Sequence, residues 1–223
     1  MNKWIRRKRN SWGYGVQSPS DFYFVQHVLR ERSPYYGYET LKELKRQYAT
    51  SLPSYSAITD QLLFRLANFA HSDLVLEIGA GLSAFAMAIG HPFARHIAIT
   101  ASPMRSKDLQ SLSATYPQVE IRDGDEIKVL QQILQEHGSI GTLHIAHTER
   151  YREAVIASLP YITDRSLIII EDIRANKEKS EWWKGLQEDP RTGISYDLGS
   201  IGLLFFDRSR HKNTYWINLL KKV

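Results

Sequence analysis

The sequence contains no cysteine. Disulfides and thiolate metal sites are therefore excluded, and a reducing compartment, the cytoplasm, is the expected location. No apolar run approaches the roughly 20 residues of a membrane-spanning helix. The first ten residues, MNKWIRRKRN, are basic but lack the apolar centre of a signal peptide. Charge of one sign is also scarce outside that tail. Lys3, Arg6, Arg7, Lys8 and Arg9 are five of 29 basic residues, and the remaining 24 face 24 acidic ones. The net charge of +5 thus resides in the tail. The body has no basic face, so nucleic acid is not expected as a partner; the tail alone can touch RNA, DNA or anionic lipid. The oligomeric state is left open, a homodimer included.

What is present is enough apolar material, 43% of 223 residues, for one large α/β domain with an added N-terminal piece. The chain is organised around LVLEIGAGLSAFAMAIG, residues 74–90. Leu74 to Ile78 is apolar on both faces but for Glu77, the pattern of a buried parallel strand. Phe85, Ala88 and Ile89 follow at helical spacing. Gly79, Ala80 and Gly81 between them permit a tight turn and the close approach of a ligand. The helix start behind them is expected to offer N–H groups to an anion, and Glu77 to accept a hydrogen bond from the same ligand. Gly79-x-Gly81-x-x-Ala84 satisfies a loose dinucleotide fingerprint, and Glu77-x-Gly79-x-Gly81 resembles the first motif of class I S-adenosylmethionine (SAM) dependent methyltransferases.

Before this turn, Ser20 or Asp21 is expected to cap a helix reaching about Arg32, with a charged helix at 38–49 behind it. Ser54 or Ser56 opens another, with Ile58, Leu62, Leu63, Leu66 and Phe69 forming a stripe. The tyrosines and phenylalanines of this region read as packing rather than a ligand cage. From residue 74 strands and helices alternate. Strands are expected at 74–78, 96–100, 119–122, 142–146, 166–171, 194–198 and 201–206. Helices are expected at 82–90, 103–115, 126–137, 149–159 and 177–187. Ser102-Pro103 marks a helix start and Gly138 a helix stop. Gly199-Ser200 joins the last two strands as an antiparallel hairpin. The expected fold is a Rossmann-like, doubly wound α/β sheet of seven strands, with that hairpin at its C-terminal end and helices in front. Residues 1–19 read as tail and lead-in, 20–72 as a helical cap, and 73–223 as the Rossmann-like domain.

The chain resembles the class I SAM-dependent methyltransferases, within them a bacterial family of short catechol O-methyltransferase-like proteins. GYGVQSP, YYGYETLKEL, QLLFRLANFA, LVLEIGAGLS, SLIIIEDIRAN and IGLLFF carry the resemblance. It implies that Glu77, Gly79, Ala80, Gly81 and Ser83 meet the methionine part of SAM. Phe85 stands where a serine can bind the carboxylate in such enzymes. Thr100 stands where an acid usually takes the ribose hydroxyls, and Gly124 and Asp125 fall on the turn against adenine. Asp125 is equally suited to cap the helix starting at Glu126. The metal-dependent relatives have an aspartate where this chain has Ala146, so no magnesium site is expected. Glu171-Asp172 keeps an acidic pair, and His147 stands next to Ala146. Asp172 or His147 is the expected base, with Glu171 beside it.

The resemblance implies a SAM-dependent methyltransferase acting on an oxygen or nitrogen of a small molecule, independent of metal. The alternative is a methyltransferase-like fold that has lost catalysis and serves as a binding or interaction module. Phe85, Thr100 and Ala146 each bear on the choice.

Overall fold

The computed structural model describes residue 16 and residues 18–219. The basic tail lies outside the described residues. The chain forms two compact units, one of Pro34–Ser166 and one of the residues up to Ser33 with those from Leu167 on.

The unit Pro34–Ser166 opens with two helices, α2 (Tyr36–Tyr48) and α3 (Ala57–Ala70). Then come β1 (Leu74–Ile78), α4 (Leu82–Gly90), β2 (Arg95–Thr100) and α5 (Pro103–Ser113). They are followed by β3 (Val119–Asp123), α6 (Glu126–His137), β4 (Ile140–Ile145) and α7 (Tyr151–Ser158). Its strands pair in parallel in the order β3-β2-β1-β4. That order is the Rossmann-like arrangement, and it explains why β1 is buried at every position: it has a strand on each side. Ser56 caps α3 by accepting from the Thr59 N–H at 3.2 Å, and Ser102 caps α5 ahead of Pro103. Gly138 ends α6 in the left-handed conformation. Ile58 and Phe69, expected on the buried stripe of α3, are exposed, because that stripe turns its middle rather than its ends inward. Phe85 is wholly buried among Ala84, Ala88, Ala98, Leu109 and Leu112, edge-on to Tyr116 at 5.6 Å. Truncating such a side chain typically costs about 3–5 kcal/mol.

The second unit begins, among described residues, with α1 (Pro19–Phe24). Its cap is Ser18 rather than Ser20 or Asp21. A π-helical turn, Val25–Leu29, follows, where one uninterrupted helix was expected. The Arg30 N–H reaches the Val25 carbonyl at 3.1 Å, five residues back. β5 (Ile162–Ile170) enters from the first unit after a 3₁₀ turn, Leu159–Tyr161. It is longer than expected because Thr163, Asp164 and Arg165, near its start, are polar and exposed and break the apolar pattern. α8 (Lys177–Glu188), β6 (Ile194–Asp197), β7 (Gly202–Phe205) and β8 (Asn213–Trp216) complete the chain. The order is β5-β7-β6-β8, with β7 antiparallel to both β5 and β6. The hairpin turn covers Leu198–Ile201 and is closed by the Leu198 N–H on the Ile201 carbonyl at 2.8 Å.

β8 makes eight strands among the described residues, where seven were expected. It is only four residues long, too short for alternation to stand out, and is held parallel to β6 with Tyr215 turned inward. Asp21, buried to 2% exposure, accepts from the Tyr196 hydroxyl at 2.8 Å, the Tyr215 hydroxyl at 3.1 Å and the Arg210 guanidinium. Burial, reinforced by Asp21, pushes the Tyr215 hydroxyl up to about 12. Among the described residues no helix is long and apolar enough to cross a membrane.

Candidate functional site

A carboxylate on a fully buried strand must find donors. Glu77, at 2% exposure, finds three. Its Oε1 accepts from the Gly81 N–H at 3.0 Å and from the Ser83 hydroxyl at 2.8 Å. Its Oε2 lies 2.8 Å from Nδ1 of His144, which register places beside it on β4. One side chain therefore fastens the start of α4 to the middle of the sheet. Glu77 was expected to accept from a ligand; within the protein both its oxygens already have partners, and the Ser83 hydroxyl proton is committed to it.

The turn itself is equally occupied. The Gly79 and Ala80 N–H groups donate to the Ile99 carbonyl at 3.1 and 3.0 Å, and the Leu82 N–H donates to the Pro53 carbonyl at 3.0 Å. With Gly81 on Glu77, every N–H from Gly79 to Leu82 is used inside the protein. Free N–H groups for an anion are not found at these four positions. The glycines have a packing reason. Gly79 has φ +77°, and a Cβ there would stand 2.5 Å from the His147 carbonyl carbon. Gly81 is extended, and its Cβ would stand 2.6 Å from the Pro53 carbonyl oxygen.

Thr100 and Gly124 are joined at the ends of β2 and β3, the Gly124 N–H donating to the Thr100 carbonyl at 3.2 Å. The Thr100 hydroxyl is buried and accepts from the Ser102 N–H at 3.1 Å. Asp125 caps α6 through the Ile127 and Lys128 N–H groups at 3.2 and 3.0 Å. Its other oxygen receives Arg150 at 2.7 Å. The Lys128 N–H above all, with Arg150, holds its carboxyl below the usual range.

Beyond β4, the Ala146 N–H donates to the Ile78 carbonyl at 3.0 Å, and the alanine is buried. The His147 ring stacks on Tyr55 at 4.3 Å and 15°. Among the expected site residues, Glu77, Gly79, Ala80, Gly81, Ser83 and His147 come together, with Thr100, Gly124 and Asp125 along the neighbouring strand ends. Glu171 and Asp172 follow β5 in the other unit. Glu171 is buried; Asp172 is exposed at φ +52°, one of two described non-glycine residues with positive φ. Aspartate visits that region more readily than most residues, and strained backbone of this kind gathers at functional sites.

Three neighbours of the turn were not foreseen: the Pro53–Tyr55 segment, Lys45 and Asp60. Asp60 did leave a signal. It stands three, four and seven residues before Leu63, Phe64 and Ala67, on a face that is otherwise apolar and buried.

No family profile matches the chain, and no curated protein does. Solved structures do. An SAH-bound methyltransferase from Podospora anserina matches with a TM-score of 0.64 at 16% identity, over 85% of this chain and 96% of that one. A putative caffeoyl-CoA O-methyltransferase from Staphylococcus aureus gives 0.63 at 16% identity, over 81% and 95%. An O-methyltransferase from Streptomyces achromogenes, in complex with SAM, gives 0.60 at 14% identity, over 92% and 99%.

The fold is that of the solved methyltransferases. At these identities the likeness concerns the fold, and what the site does has to be argued from its residues.

Proposed function

We propose that this protein is a SAM-dependent methyltransferase that acts on an oxygen or nitrogen of a small molecule without a divalent metal ion. The observation that carries the reading is the strand–turn–helix of Leu74–Gly90, locked by Glu77 in a fold shared with methyltransferases that hold SAH or SAM. Gly79, Ala80, Gly81 and Ser83 would border the methionine part of the cofactor, with Glu77 fixing their positions. Thr100 would meet the ribose, and Gly124 and Asp125 the adenine. SAM, when bound, supplies a methyl group already activated on a sulfonium. The protein then has to orient the acceptor in line and exclude water. For a hydroxyl acceptor, Asp172 or His147 would take the proton, with Glu171 supporting Asp172. A magnesium ion does not fit the donors: Ala146 offers none at the end of β4, which leaves one acidic pair, Glu171 and Asp172, for an ion that prefers six oxygen ligands.

Calorimetry with SAH tests the reading. The expected Kd is on the order of 10–100 µM, because Thr100 provides the ribose with no charge-assisted acceptor. Methyl transfer, once an acceptor is found, should survive EDTA. The internal use of every N–H from Gly79 to Leu82 favours a second reading, a binding module without catalysis. No detectable heat at millimolar SAH would decide for it.

A further inference from the structure

We propose that Lys45 and Asp60 form the subsite for a zwitterionic amino-acid group, that of the cofactor's methionine part. The inference rests on the methyltransferase reading.

Asp60 lies in the first turn of α3 at 6% exposure. Its Oδ2 pairs with Lys45 Nζ at 3.2 Å. Its Oδ1 is buried and has no hydrogen-bond partner. A buried carboxylate oxygen without a donor is costly, and such an atom in a native fold calls for a ligand or a water. Burial pushes the Asp60 carboxyl up, against the pull of Lys45, and repulsion from Glu77 adds to it. Its place in the first turn of α3 sets Asp60 just beyond the Pro53–Tyr55 segment, whose Pro53 carbonyl meets the glycine turn.

Lys45 links the pair to that turn more directly. Its Nζ also donates to the Tyr55 carbonyl. Tyr55 stacks on His147 at 4.3 Å, and two residues earlier the Pro53 carbonyl meets the Leu82 N–H at 3.0 Å. The ion pair thus sits on the segment that crosses the turn, with a half-exposed cation and an anion that has one oxygen to spare.

An α-amino acid presents an ammonium and a carboxylate a few ångströms apart, the mirror of a lysine–aspartate pair. The other candidates at the turn are used. Both oxygens of Glu77 are engaged, the N–H groups of Gly79 to Leu82 are donated, and the position expected to meet a carboxylate holds the buried Phe85. Asp60 Oδ1 is left to accept from the ammonium, and Lys45 to turn toward the carboxylate.

The test compares SAH with 5′-methylthioadenosine, which keeps the adenosine and thioether but lacks the amino-acid end. Calorimetry is run on the full chain and on the Asp60→Asn and Lys45→Met variants. The natural protein should bind SAH at least about tenfold more tightly than the truncated ligand. Each variant should lose about tenfold to a hundredfold for SAH and stay within about twofold for the truncated ligand. SAH affinity unchanged in both variants would overturn the subsite and leave the methyltransferase reading standing. Equal loss of both ligands would also overturn it, assigning the pair to holding the Tyr55 segment. Failure of the natural protein to bind either ligand would remove the methyltransferase reading, and the subsite with it.

Discussion

Glu77 in one unit and Asp21 in the other are both carboxylates at 2% exposure, each ringed by donors. Two of Glu77's donors come from four and six residues along the chain, and the third from the neighbouring strand. Asp21 draws on Tyr196, Tyr215 and Arg210, 175 to 194 residues away. The same chemistry therefore serves two ends: Glu77 sets the shape of a turn, while Asp21 ties an N-terminal helix to the last strands of its sheet. Neither has an oxygen left over. A satisfied buried carboxylate is an anchor, and Asp60, with Oδ1 unpartnered, is set apart from both.

Breaking Asp21 should have the largest effect on stability. Asp21→Ala leaves Arg210 and two buried hydroxyls without their acceptor, at a cost of about 3–5 kcal/mol. Urea unfolding reads it, and SAH affinity of the remaining folded protein should not change. A loss of SAH binding without a loss of stability would contradict the comparison. Gly79→Ala should follow at about 2–4 kcal/mol, since it combines a strained φ with a Cβ pressed on the His147 backbone. Here stability and SAH binding should fall together.

Glu77→Gln keeps the shape and removes the charge. It should cost about 1–3 kcal/mol and weaken SAH by about tenfold, through the loosened turn rather than a lost contact. Full SAH affinity in this variant would mean that the turn does not depend on the carboxylate. The smallest effect concerns pH. Burial holds the His96 imidazole below its usual value near 6.5, while its Nε2 meets the His91 carbonyl at 2.9 Å. The fold binds neutral His96, so this stability is complete above pH 6.5. It is lost as pH falls from there through the lowered value, because the unfolded chain takes up the proton first. The melting temperature should therefore drop as pH falls below about 6.5, and His96→Gln should flatten that slope.

Elements with strong local signals were legible in the sequence. β1, α4 and α6 fall where apolar period, glycine and cap place them. β8 was not, because four residues paired to a distant strand carry no period of their own. The same divide runs through the site. Gly79 and Gly81 announce a turn, yet their reason is contact with Pro53 and His147, which no local pattern contains. His144 is adjacent to Glu77 by register, 67 residues along the chain. Asp125 was evenly balanced between capping and adenine; the cap is formed, and its second oxygen goes to Arg150. Asp60 was not foreseen: a single charge on an apolar face carries little meaning until Lys45 stands beside it.

The central claim is that the Glu77-held turn is the cofactor site, and a crystal structure grown with excess SAH tests it most directly. The account predicts density for the amino-acid end beside Gly79–Gly81, within hydrogen-bond reach of Asp60, and for the nucleoside beside Thr100 and Asp125. A turn with no ligand density at saturating SAH, or SAH bound elsewhere on the protein, would contradict it.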